Sequence, residues 1–161
     1  MLPKRKPTAI PHYDYSQPGA YFITLCVEER RPILGKIDSS AQVMLSPIGK
    51  IVSDVWYSLP QRFPCLDSIS HSIFVVMPDH IHGILQITAG GASPSPTLHQ
   101  ILGTFKSITT IETNRLLGTP GQKLWQRSAY EHILRNQQDF DEAAGYIAGN
   151  PVRRLERGGF L

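Results

Sequence analysis

Cysteine is nearly absent: the sequence holds two, Cys26 inside an apolar run and Cys65 beside Pro64. Two thiols build neither a disulfide framework nor a four-thiolate zinc site, so both read as buried reduced side chains. Long apolar runs are missing as well. No stretch approaches the ~18 residues of a membrane span. The bases between Met1 and Lys6 are not followed by an apolar segment before Pro11, which argues against a secretory signal. The expectation is a cytoplasmic protein with no membrane partner. Charged residues are sparse, at 18 %, where about 25 % is usual. A length of 161 residues excludes a barrel of eight strand-helix units, which needs roughly 250. Residues 1–161 are therefore expected to form a single domain. What is present suits a globular core: 41 % of residues are hydrophobic, and 13 glycines and 13 prolines punctuate the chain.

The net charge is +3 and the isoelectric point about 9.0. Residues 1–36 carry six Lys/Arg against three Asp/Glu, residues 37–98 two against four, and residues 99–161 eight against six. The basic excess thus sits at the two ends, where it can hold a phosphate-rich partner.

Residues 1–19, with Pro3, Pro7, Pro11, Pro18 and Gly19, read as an extended basic arm. AYFITLCV at 20–27 is apolar on both faces and predicts a buried central strand. Ser46 followed by Pro47 predicts a helix start, with Ile48, Val52, Val55, Trp56 and Leu59 at helical spacing and Pro60 as its end. Ile73 to Met77 and His80 to Thr88 predict an antiparallel hairpin around Pro78-Asp79. Residues 89–96, AGGASPSP, predict a flexible loop. A helix then opens with the Thr97/Gln100 capping box, carries Leu98, Ile101, Leu102, Phe105 and Ile108 on one stripe, and stops at Gly118. Lys123 to Gln126 and Tyr130 to Leu134 are short strand candidates, and Asn136 caps a last helix that Pro151 ends. The order predicts an α+β fold: one antiparallel sheet with helices on one face, the split βαβ or ferredoxin-like arrangement, with an extra C-terminal helix.

Two patterns stand out against this frame. In HIHGILQI at 80–87, alternation sends Ile81, Leu85 and Ile87 to one face and His80, His82 and Gln86 to the other. The two imidazoles then emerge side by side, about 6.6 Å apart at their α-carbons, close enough to converge on one ion; an exposed polar sheet face is the alternative. In the last helix, Phe140, Ala144 and Ile147 form the buried stripe, while Tyr146 shares a face with Glu142 and Asn150. Gly145 and Gly149 flank the tyrosine and suggest close approach or bending.

MPDHIHGIL at 77–85 together with YIAGNPV at 146–152 resembles the single-tyrosine transposases of the HUH class, and among them the REP-associated tyrosine transposases. YDYSQPGAYFITLC at 13–26, LSPIGKIV at 45–52, TFKS at 104–107 and LWQRSAYEHILRN at 124–136 extend the likeness over nearly the whole chain. The resemblance implies that His80, His82 and Asn150 bind Mg²⁺ or Mn²⁺ and that Tyr146 is the nucleophile. It also implies a transposase that cleaves and rejoins single-stranded DNA bearing a hairpin or repeat, through a 5′-phosphotyrosyl enzyme. The chain ends at Leu161 without the aromatic segment that often follows in such proteins. Lys4, Arg5 and Lys6 in the arm, Lys106 on the helix after the loop, and Arg127 and His132 near the last strand are candidates for DNA-backbone contacts. The working form is expected to be a monomer or homodimer. Two other readings compete: an inactive or domesticated module of the same fold that binds single-stranded DNA or RNA without cutting it, and a hydrolytic metalloenzyme built on His80 and His82. No aromatic stacking motif of the usual RNA-binding kind is present, and Asp79 is the one acid beside the histidines.

Overall fold

In the computed structural model, residues 19–88 and 96–156 are described. The arm, the loop over 89–95 and the last five positions lie outside them, and with them Lys4, Arg5 and Lys6. Strand β1 (Gly19–Cys26) is followed by a short hairpin, β2 (Gly35–Ile37) with β3 (Val43–Leu45). Then come α1 (Pro47–Arg62), α2 (Ser68–His71), β4 (Phe74–Val76), β5 (His80–Ile87), α3 (Leu98–Leu117), β6 (Tyr130–Leu134), α4 (Gln137–Ala148) and α5 (Asn150–Glu156). The main sheet has the order β4-β5-β1-β6 with every neighbouring pair antiparallel. That is the expected split βαβ arrangement, with β1 and β5 central and β6 at an edge.

Strand alternation gives the sheet two different faces. Tyr21, Ile23 and Leu25 of β1 and Ile81, Leu85 and Ile87 of β5 pack with Val52, Trp56 and Leu59 of α1 and Ile101, Leu102 and Phe105 of α3. Gly83 shares that face, and a β-carbon there would lie 2.5 Å from the Trp56 indole, so the glycine makes the seat for the ring. The opposite face carries Ala20, Phe22, Ile84 and Leu134, against which α4 lays Ile147, Phe140, Ala143, Ala144 and Tyr146. The two crossover helices lie on one face, as expected, and the extra C-terminal helix covers the other. Among the described residues no helix is long and apolar enough to cross a membrane.

Local chemistry explains where the helices begin. Ser46 Oγ accepts from Gly49 N at 3.0 Å with Pro47 in the first turn, and Thr97 and Gln100 form the complete capping box. Gly118 ends α3 in the left-handed conformation at φ 66°. Three boundaries differ from expectation. The α1 helix continues past Pro60 to Arg62 because the Trp56 carbonyl, which a proline nitrogen cannot serve, accepts instead from His71 Nε2 at 2.5 Å. Pro151 does not end the last helical region: the chain bends at Gly149, and the proline falls in the first turn of α5, where its missing N–H costs nothing. Residues 123–126 make one bridge, Val27 with Trp125, rather than a strand. The β2–β3 pair and α2 were not expected at all.

The His71 arrangement yields a prediction. Its ring stacks on Trp56 with centroids 4.5 Å apart, Trp56 Nε1 donates to the His71 carbonyl at 2.9 Å, and His71 Nδ1 has no partner among the described residues. Since a carbonyl only accepts, Nε2 carries the proton. Burial lowers the His71 pKa below its ordinary 6.5, partly offset by the bond to Trp56. A depressed folded pKa stabilises the fold fully above 6.5, and that contribution is lost as pH falls below it. The melting temperature is expected to drop between pH 7 and 5, and to drop less in His71→Gln, as thermal denaturation over a pH series would show.

Candidate active site

Site residues from β5 and α4 meet on the α4 face of the sheet. His80 and His82 stand on β5, 7 % and 1 % exposed, as alternation from the buried Ile81 requires. Their ring centroids are 4.6 Å apart. Tyr146 reaches them from α4, its ring centroid 5.4 Å from that of His82. Asn150, 7 % exposed, begins α5 four residues later. Glu142, one turn earlier on the same side, is exposed, so the face that these residues share runs from solvent into the site along the helix.

Each imidazole is held through Nδ1. His80 Nδ1 donates to Asp79 Oδ1 at 2.7 Å, and His82 Nδ1 lies 2.8 Å from Thr24 Oγ1 on the neighbouring β1, in register with it. Phe22 stacks on His82 at 5.3 Å between centroids. Burial pushes the pKa of His80 below the ordinary value despite the Asp79 carboxylate. Burial, helped by the positive charge that His80 carries when protonated and by those of Arg153 and Arg30, pushes His82 well below it. Both rings are neutral at pH 7, and the Nδ1–H of His80 leaves its Nε2 with a lone pair.

Asp79 is the anchor. Its carboxylate accepts from His80 and from Arg154 Nη1 at 3.2 Å through Oδ1, and from Arg30 Nε at 3.2 Å through Oδ2. Its carbonyl accepts from Val27 N at 2.9 Å, and Met77 N closes the hairpin onto the His80 carbonyl at 2.8 Å. Burial alone would raise its pKa, but the His80 bond and the charges of Arg154 and Arg30 outweigh it and hold the carboxyl well below the usual range. Arg30 is delivered by a turn in which Glu29 and Arg30 both take left-handed backbone angles, φ 60° and 53°. That conformation is unfavourable for residues with a β-carbon.

These donors suit a divalent cation. Neutral imidazoles tethered through Nδ1 and open at Nε2 are the usual form of histidine ligands, and the tether fixes ring orientation. Among the described residues no three His, Cys, Asp or Glu side chains cluster as a metal site. Asp79 is engaged with arginines, so a cation held by His80 and His82 would take any third protein ligand from another residue type, such as a carboxamide.

No family model matches the chain. An uncharacterized protein of Haemophilus influenzae is 29 % identical over 92 % of this chain and 88 % of its own length. A REP-associated tyrosine transposase of Escherichia coli is 24 % identical over 86 % of this chain and 70 % of its own. A solved REP-associated tyrosine transposase bound to a REP hairpin shares the fold, with a TM-score of 0.56, 21 % identity, and coverage of 91 % of this chain and 74 % of that one. The chain is similar to the REP-associated tyrosine transposases in sequence and in fold.

His80, His82 and Tyr146 lie on one face of the sheet, and Asn150 is buried at the start of α5, four residues after Tyr146. Among the described DNA-contact candidates, one is held away from them. Lys106 lies on α3, across the sheet, and its ammonium donates to the carbonyls of Gln126 and Arg127 at 3.1 and 3.0 Å. Arg127 is exposed in the segment before β6, and His132 is exposed on that edge strand opposite Phe22, on the same face of the sheet as His82. Reasoning from sequence missed Thr24, Phe22, Arg30, Arg153 and Arg154. Arg30 and Arg154 stand 49 and 75 residues from Asp79, and no local pattern marks them.

Proposed function

We propose that the protein is a transposase that cleaves and rejoins single-stranded DNA carrying a hairpin or repeat, with Tyr146 as nucleophile and His80, His82 and Asn150 as ligands of Mg²⁺ or Mn²⁺. The observation that carries this reading is the Tyr146 ring 5.4 Å from His82, beside two imidazoles tethered at Nδ1. The substrate class comes from the relative whose structure holds a REP hairpin.

A bound cation would neutralise charge on a phosphate oxygen. The protein does the rest. Asp79 and Thr24 keep the two rings oriented. The Tyr146 phenol oxygen attacks the phosphorus, the bond to the 3′-oxygen breaks, the phenol proton ends on that oxygen, and a 5′-phosphotyrosyl linkage forms. Attack by another 3′-hydroxyl reverses the step and joins strands, so neither ATP nor water is consumed.

The test is incubation of labelled single-stranded hairpin oligonucleotides with the protein and Mn²⁺, followed by denaturing electrophoresis for a covalent adduct. His80→Asn and His82→Asn are expected to weaken Mn²⁺ binding and adduct yield by about 10- to 100-fold. Unchanged Mn²⁺ titrations in both variants would remove the metal site from the account, and binding of the hairpin with no adduct under any divalent cation would favour a binding module.

A further inference from the structure

We infer that Arg153 positions the nucleophile, its guanidinium clamping the Tyr146 ring against His82, and that Gly149 is the notch that admits it. The inference rests on the reading of Tyr146 as the attacking residue. The Arg153 guanidinium carbon lies 4.0 Å from the centroid of the Tyr146 ring, and Nη2 donates to the Tyr146 carbonyl. The edge contacts are Phe22, 5.9 Å away at 83°, and His82, 5.4 Å away at 71°. A half-exposed phenol is thus bounded by an arginine over its face and two rings at its edges. The neighbouring Arg154 turns to Asp79 instead, so consecutive arginines of α5 hold the nucleophile and the turn that carries His80.

The glycine explains how a long side chain folds back so closely. A β-carbon on Gly149 would lie 2.8 Å from Arg153 Nη1, and the next nearest atom is 3.4 Å away. Its backbone, φ −87° and ψ 0°, is one that any residue adopts, so what glycine supplies here is room. Gly145, which the sequence paired with it, faces nothing within 4 Å. A planar guanidinium both stacks on the ring and reaches the carbonyl; an ammonium does not do both.

Single-turnover adduct formation at saturating Mn²⁺ and hairpin DNA separates the outcomes. Arg153→Ala and Gly149→Ala are each expected to slow the step about 10- to 100-fold, the usual cost of a misplaced reacting group. The double variant is expected to be no slower than the slower single one, because both remove one clamp. Affinity for hairpin and for Mn²⁺ should stay within about twofold. Gly149→Ala should melt at or above the wild-type temperature, since alanine restricts the unfolded chain. Arg153→Lys is expected to recover only part of the rate. A wild-type rate in Gly149→Ala, multiplicative losses in the double variant, or a loss seen only as weaker hairpin binding would overturn the inference. Adduct persisting in Tyr146→Phe would overturn the parent reading as well, whereas an inert Tyr146→Phe beside normal Arg153→Ala and Gly149→Ala variants would sink the clamp alone.

Discussion

Tyr146→Phe is expected to abolish the covalent DNA adduct, by about 10⁴-fold or more, as removal of a nucleophile does elsewhere. The change deletes one oxygen and keeps the ring, which retains its contacts with Phe22 and His82 and the Arg153 guanidinium above it. Because the residue is only half buried, stability should change by no more than about 0.5 kcal/mol. Hairpin affinity and Mn²⁺ affinity are expected to be preserved, so the loss appears in the rate of the chemical step and nowhere else. Denaturing electrophoresis gives the first readout, and mass mapping of the DNA-linked peptide gives the second. An adduct that persists and maps to Tyr130 would move the chemistry to β6, where that ring packs edge-on to Phe22 at 6.0 Å between centroids.

The faces that carry His82 and Tyr146 were each legible in the sequence because two short-range periodicities survive folding, whereas bringing the two faces together rested on the family resemblance alone. Period two along His80–Ile87 fixes which side chains share a face, and burial of Ile81, Leu85 and Ile87 makes the other face the one that carries the histidines. Period 3.6 along α4 does the same for Phe140, Ala144 and Ile147. The sheet order followed from element order alone. What could not be read are contacts between residues far apart in the chain that follow no period. His71 is one: a lone histidine in the sequence, it takes over the carbonyl that Pro60 leaves unserved, and this is why proline failed as a stop signal. Arg30 is another, aimed at Asp79 by a turn that no glycine or asparagine announces. The β2–β3 hairpin escaped because three-residue strands are too short to show alternation. Its register depends instead on Asp38 Oδ1, which accepts from Ser40 N at 2.9 Å, Ser40 Oγ at 2.7 Å and Gln42 N at 3.0 Å.

Asp79→Asn is expected to damage stability and metal binding together, which distinguishes it from every variant at the nucleophile. The carboxylate is 5 % exposed and offsets two arginines while fixing the His80 ring. The Arg30 side chain is 51 % exposed, so that pair is screened and contributes little, about 0–1 kcal/mol. Arg154 is 17 % exposed, and leaving it beside a neutral amide is the larger loss. About 2–4 kcal/mol of destabilisation is expected in total, near the low end for breaking a buried pair by removing one partner. The pH dependence has a definite sign. Because the folded carboxyl is held below its ordinary value of 3.8, its contribution is present in full above that pH and is lost as pH falls below it. Wild type and variant should therefore differ fully at pH 7 and converge in strong acid. The amide can still accept a hydrogen bond from His80, but it can also turn its NH₂ toward the ring, so the tautomer is no longer dictated and Mn²⁺ affinity should fall about 10- to 100-fold. Asp79→Glu is not expected to rescue, since the turn that carries the residue is pinned by backbone bonds at Met77 and Val27. Calorimetric melting and Mn²⁺ titration on the same preparations decide it: a variant as stable as wild type with unaltered Mn²⁺ affinity would show that the arginines, not Asp79, set the His80 ring.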